Sequence, residues 1–254
     1  MRITGPGQVV FGVSVAALGG FSLFFPGFKA EWGIVPRWMP AHDPLVTIAA
    51  IILLVGGLAL LVPRIARPAA LVLAILLLLR LVLLHARAVA LHPLIEGTWE
   101  EAGESVVLLT GAWTIVSLLP RDGGARAVSG NVRLGQMLFG LALLPFGLAH
   151  FFYLNLTAPL IPSWIPLHVP LSYFTGGAYI AAGLGILFLV LPRLAATLAA
   201  IMVSLFTILV WIPMLIKAPG TAGNWSEFWV SAAITGAAWL VAESFRGRSW
   251  GVRR

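Results

Sequence analysis

The chain has 254 residues, of which 60% are hydrophobic and 10% charged, with a net charge of +7 and a mean hydropathy of +0.99. A soluble domain carries about 25% charged residues, so this composition excludes a water-facing surface and describes an integral membrane protein. The absence of cysteine excludes disulfides, iron–sulfur clusters and thiolate zinc, and no basic run with interleaved aromatics points to nucleic acid.

Eight apolar segments follow one another, at 8–25, 44–62, 66–91, 99–118, 133–154, 170–190, 193–216 and 225–244. Most approach the ~20 residues needed to cross about 30 Å of hydrocarbon. The first could serve as the core of a signal peptide, but its counterpart in the second half is internal, so both are read as transmembrane helices. Pro63-Arg64 and Pro192-Arg193 mark short turns, and "PRDGGARAVSGN" at 120–131 is the one Gly-rich polar linker.

The two halves match in order. Gln8, Phe11, Gly12 and Gly19 parallel Gln136, Phe139, Gly140 and Gly147, and "VPRWMP" at 35–40 parallels "IPSWIP" at 161–166. Pro93, Gly97, Trp99, Glu101, Ser105 and Trp113 parallel Pro219, Gly223, Trp225, Glu227, Ser231 and Trp239 at one constant offset. The expected fold is therefore all-α: eight transmembrane helices as two parallel four-helix bundles. They divide into a first repeat at 1–120, a cytoplasmic linker at 121–131 and a second repeat at 132–254 with a basic tail. An even number of helices per repeat makes the copies parallel.

Eleven of the 16 basic residues fall on one side of this arrangement, among them Arg2, Arg64, Arg67, Arg193 and Arg246, while seven of the nine acids fall on the other. The bias places both termini in the cytoplasm of a multi-pass protein of the cell membrane.

The stretch "LLPFGLAHFFYLNLTAPLIPSWIPLHVPLSYFTGGAYIAAGLGILFLVLPRLAATLAAI" resembles the DoxX family of membrane proteins. It shows a Gly-containing helix with a late His, a PxWxP loop, a "YFTGGAYIAAGLGIL" helix and a Pro-Arg turn. The resemblance implies a four-helix unit, here present twice. It also implies a role near quinone-linked redox chemistry: a subunit of, or quinone- or lipid-binding partner in, an oxidoreductase. On that reading quinone is the cofactor, and the partners are the lipid bilayer and a soluble or membrane oxidoreductase.

The acidic stretch "GTWEEAGESVVLLTGAW" at 97–113 recurs as "GNWSEFWVSAAITGAAW" at 223–239. Thr98 with Glu101, and Asn224 with Glu227, have the spacing of a capping box, and Trp99 and Trp225 suit an interfacial aromatic belt. Trp38 and Trp164, in the PxWxP loops, suit interfacial anchoring or a lid over a lateral opening.

Glu100 and Glu104 have no counterparts in the second copy, which carries Ser226 and Val230 there. The preceding helix carries Arg80 near its middle, then His85 and Arg87. An ionisable group at that depth costs about 2.5–3.5 kcal/mol unless paired or wetted. Two readings stand side by side: a polar ligand pocket in the outer half of repeat one, lined by Arg80, His85, Arg87, Glu101 and Glu104, or a buried ion-pair network locking two helices together. His150, at the end of the fifth segment, is a candidate head-group ligand or a satisfied helix-end residue. A His85–His150 haem pair is disfavoured by their different depths, and no metal motif is present. Two functions from other classes remain open: a non-enzymatic lipid-binding or assembly protein, and a small-solute transporter working at the repeat interface. The absence of an obvious broken helix counts against the transporter. No catalytic residue is legible, and whether the chain is an enzyme stays open.

Overall fold

The computed structural model describes residues 5–25, 27–28, 33–119 and 129–250. Most of the linker and the last residues of the tail lie outside the described residues, and with them Arg2, Lys29, Glu31, Arg121, Arg126, Arg253 and Arg254. The described chain is helical, with no strand among the described residues.

The described residues form eight long helices: α1 Pro6–Phe24, α2 His42–Ala59, α3 Ala66–Leu91, α4 Glu96–Leu118, α5 Ser129–Phe152, α6 His168–Leu187, α7 Pro192–Lys217 and α8 Ala222–Ser244. A short helix at Leu154–Thr157 and a 3-10 turn at Ala158–Leu160 join α5 to α6. Six of the long helices (α1, α2, α3, α5, α6 and α7) are long and apolar enough to cross a membrane, which makes this a multi-pass membrane protein. α4 and α8, 23 residues each, are polar at their starts and enclosed along their second halves. Val230, Ala233, Ala237, Ala238, Leu240 and Val241 of α8 are all buried. A helix wrapped by protein need not present apolar residues to lipid.

The halves repeat in structure as in sequence. α3 and α7 start 126 residues apart, at Ala66 and Pro192, as do α4 and α8, at Glu96 and Ala222. Both α3 and α7 are interrupted at matching places by a π-helical stretch, Leu81–Ala86 and Thr207–Trp211. The sequence gives little hint of these interruptions, which tend to occur where a helix carries function. At the foot of α3 this register sets Arg67, not Arg64, opposite Arg193. Ala41 and Leu167 precede α2 and α6 in the same left-handed conformation, φ 57° and 63°, just after the paired turns in which Met39 N–H donates to Pro36 O and Ile165 N–H to Pro162 O.

Close approach comes from glycine. Gly12 of α1 faces the Gly57 carbonyl of α2, and Gly140 of α5 faces the Gly183 carbonyl of α6, the small-residue packing that membrane helices favour. The neighbour relations cross the midpoint of the chain. α1 packs on α2 and on α8, α5 packs on α6 and on α4, and α4 and α8 touch each other. One hydrophobic core consequently runs through both halves, from Phe11 and Leu77 to Phe139, Val203 and Phe245.

Contacts also fix the ends. At one, Gln8 donates to Leu60 O, Arg133 to the carbonyls of Ile186 and Leu187, and Gln136 to Ser244. Arg193 there donates to Arg248 O and lies over the Trp250 ring. At the other end are the PxWxP turns and the starts of α4 and α8.

Candidate functional site

The repeated Trp–Glu stretch does not form a capping box. α4 and α8 begin two residues before Thr98 and Asn224, at Glu96 and Ala222, and neither has a side-chain cap. Thr98 and Asn224 therefore sit inside the first turn, where they reach backward. The Thr98 hydroxyl donates to Ile95 O at 2.9 Å and His92 O at 3.3 Å, and the Asn224 amide donates to Met214 O at 3.2 Å and Ala218 O at 3.4 Å. The Trp99 indole N–H donates to Pro93 O at 3.0 Å and that of Trp225 to Pro219 O at 2.8 Å. The skeleton is duplicated because it is a clasp that closes the α3–α4 and α7–α8 connections. Glu101 and Glu227 are both exposed, and neither serves as a cap.

The proposed pocket in repeat one is divided by the structure. Arg80 is 7% exposed. Its Nη1 donates to Ser105 Oγ of α4 and its Nε to Gly33 O at 3.1 Å, and the carboxylates of Glu104 and Glu101 attract it. His85 Nδ1 lies 3.8 Å from Glu101 Oε2. Arg87 does not join them: it is exposed, and its guanidinium stacks over the Trp38 ring, 4.9 Å from the centroid. Arg87 lies past the π-helical stretch, which shifts the register that a regular helix would give it relative to Arg80. Trp38 is thus held by a cation–π contact, while its counterpart Trp164 is 72% exposed.

Glu104 faces the other half. Because α5 packs on α4, Glu100 and Glu104 open into a cavity of about 160 Å³ walled by α5, α6, α7 and α8. His150 of α5, Tyr179 of α6, Phe206 and Trp211 of α7 and Glu227 of α8 line it as well. Its back wall is aromatic: the His150 ring lies 5.7 Å from that of Tyr179 and 6.0 Å, edge-on, from that of Phe206, and Phe146 meets Tyr179 edge-on at 5.9 Å. His150 Nδ1 is 2.8 Å from Phe146 O. A carbonyl only accepts, so Nδ1 carries the proton, leaving Nε2 as the acceptor of the neutral ring.

Three features make this cavity chemically unusual. Glu100 and Glu104 have no hydrogen bond or ion pair within 4 Å among the described residues. Tyr179, 5% exposed, has a hydroxyl with no hydrogen-bond partner among them. Among the described residues no Lys or Arg lines the cavity. A buried carboxylate without a partner costs several kcal/mol, a cost removed by a proton or by a bound cation. Among the described residues no group of three or more His, Asp or Glu is arranged to hold a metal ion. The cavity joins two residues the sequence singled out, Glu104 and His150, and leaves out Arg80, His85, Arg87 and Glu101. Tyr179 and the aromatic wall were missed, although Tyr179 stands in a run of small residues, "GGAYIAAG", where a lone large polar side chain is a signal.

Two other clefts among the described residues are apolar. One of about 440 Å³ lies along α1 and α2 between Phe21, Phe24, Leu54 and Leu58, and another of about 250 Å³ lies under the first PxWxP turn. Comparison with family models, curated proteins and solved structures finds no match to this chain.

Proposed function

We propose that this chain is an eight-helix, DoxX-like protein of the cell membrane, with both termini cytoplasmic, and that its acidic, aromatic-walled cavity binds a small cationic solute as part of a transport or sensing role. α4 and α8 complete the eight crossings as the shared inner pair of two four-helix halves, 1–120 and 132–254. The bias of Arg64, Arg67, Arg133, Arg193, Arg246 and Arg248 toward one end supports the orientation, which puts the cavity toward the outer face.

The observation that carries the reading is a pair of carboxylates, Glu100 and Glu104, beside the Tyr179 hydroxyl, none of them hydrogen-bonded to a described residue. Ionised carboxylates only accept hydrogen bonds, and aromatic faces attract cations by their quadrupole. Together they select a positively charged group carrying N–H donors or a compact onium head. The π-helical stretches in α3 and α7 lie at matching places in the two halves, and such stretches are frequent at functional sites. Quinone-linked chemistry, implied by the DoxX resemblance, is the second reading: the Tyr179 hydroxyl would donate to a quinone carbonyl.

Thermal unfolding of the protein in nanodiscs, with a panel of small organic cations, small anions and a short-chain quinone, separates these. A ligand at 100 times its Kd stabilises by about 2.7 kcal/mol. Cations are expected to raise the midpoint in the wild type and to lose the effect in Glu104→Gln. No shift with any cation, or equal shifts in the variant, refutes cation binding, and a shift by quinone alone supports the second reading.

A further inference from the structure

The two halves supply the same frame around two different occupants. The 126-residue offset sets Arg80 against Phe206, His85 against Trp211, Glu101 against Glu227 and Ser105 against Ser231. In the first half the position is filled from within: the Arg80 guanidinium is buried there on Ser105 Oγ and Gly33 O, in the field of Glu101 and Glu104. In the second half Phe206 brings no charge, and the space in front of it is the cavity of about 160 Å³. Ser231 and Glu227 still line it, joined by Glu100 and Glu104 from α4.

We propose that this cavity takes a guanidinium-type organic cation, for which the Arg80 side chain is the tethered counterpart in the first half. The inference rests on the cation-binding reading above and names its ligand class. A guanidinium is planar, with donors around its edge and faces that stack on rings. Its edge suits the carboxylates of Glu100, Glu104 and Glu227 and the Ser231 hydroxyl, and its faces suit Phe206 and Tyr179. A tetraalkylammonium has no N–H and could give Glu100 and Glu104 no hydrogen bond. A bare metal cation would make no use of the aromatic wall in preference to water. The Tyr179 hydroxyl and the acceptor nitrogen of His150 add polar atoms that no described residue satisfies.

The test is calorimetric titration of the full chain in nanodiscs with methylguanidinium, tetramethylammonium and sodium. One methylguanidinium is expected per chain, at least tenfold tighter than tetramethylammonium, and weakened tenfold or more by Glu104→Gln. Phe206→Arg repeats in the second half what Arg80 does in the first, so it is expected to fold and to bind none. Arg80→Phe is expected to open the first-half site and raise the stoichiometry from one to two. Tetramethylammonium binding as tightly as methylguanidinium overturns the guanidinium assignment while leaving a cation site standing. No binding of any cation overturns both. Unimpaired binding in a folded Phe206→Arg, or a stoichiometry of one in a folded Arg80→Phe, overturns the counterpart role of Arg80. If Arg80→Phe does not fold, Phe206→Arg decides.

Discussion

Replacing Gly183 by alanine tests the packing on which the cavity depends. A Cβ there would lie 2.7 Å from Gly140 O, about 0.7 Å inside the 3.4 Å at which ordinary contact begins. The neighbour is backbone, which cannot rotate away, so α5 and α6 must separate. Overpacking of this kind costs about 1–3 kcal/mol. Alanine also returns about 1 kcal/mol of helix propensity relative to glycine. Gly177, on the same helix, has nothing within 4 Å of its added Cβ, so Gly177→Ala receives that gain unopposed. The gap between the two variants is then the overpacking cost itself, about 1–3 kcal/mol, or roughly 2–12 °C in Tm for a chain of this size. Gly57→Ala, the matching position in the other copy, should cost at least as much as Gly183→Ala, because its Cβ would meet Ala16 N at 2.4 Å and Gly12 O at 2.6 Å, both backbone atoms of α1. Thermal unfolding followed by circular dichroism in nanodiscs measures all three. Equal midpoints for Gly177→Ala and Gly183→Ala would refute the close approach, and with it the geometry of the cavity wall.

Trp99→Phe and Trp225→Phe each remove one indole hydrogen bond to a proline carbonyl and keep most of the ring. Each should cost about 1 kcal/mol in denaturant titrations. A loss confined to one of the pair contradicts the clasp as a duplicated device. Arg80→Met leaves Ser105 Oγ, Gly33 O and the nearby carboxylates without their cation and should cost about 3 kcal/mol. It also removes a positive charge that attracts Glu104, so cation affinity in the cavity should rise in calorimetry. A fall in affinity would place Arg80 among the ligands of the cavity rather than opposite it.

The helices and their duplication were legible because apolar length and repeated turn residues are local facts. The PxWxP turns, the paired Gly residues of α1 and α5, and the depth of Arg80 could all be read from spacing. What a one-dimensional pattern does not encode is which helix stands beside which. Glu104 was assigned to repeat one because its chain neighbours are there, yet α5 lies against α4 and turns that carboxylate toward His150. The capping box failed for a smaller reason: α4 starts at Glu96, directly after Ile95, so Thr98 falls past the cap position. Arg87 was grouped with Arg80 because regular helix would bring residues seven apart to one face, and the π-helical stretch between them shifts that register.

The difference between the halves follows from the position of α4. It is a wall of both: Ser105 and Glu101 face the Arg80 and His85 side chains of the first half, while Glu100 and Glu104 open into the second. α8 is placed in the same way but carries Ser226 and Val230 where α4 carries Glu100 and Glu104, so no extra acid is turned back toward the first half. With Arg80 on α3 and Phe206 at the matching place on α7, the first half is closed by its own cation, while the second is acidic and open. Arg80 attracts Glu104 across α4, but no described residue gives Glu100 or Glu104 a hydrogen bond or an ion pair within 4 Å, a cost to folding that the proposed bound cation would offset.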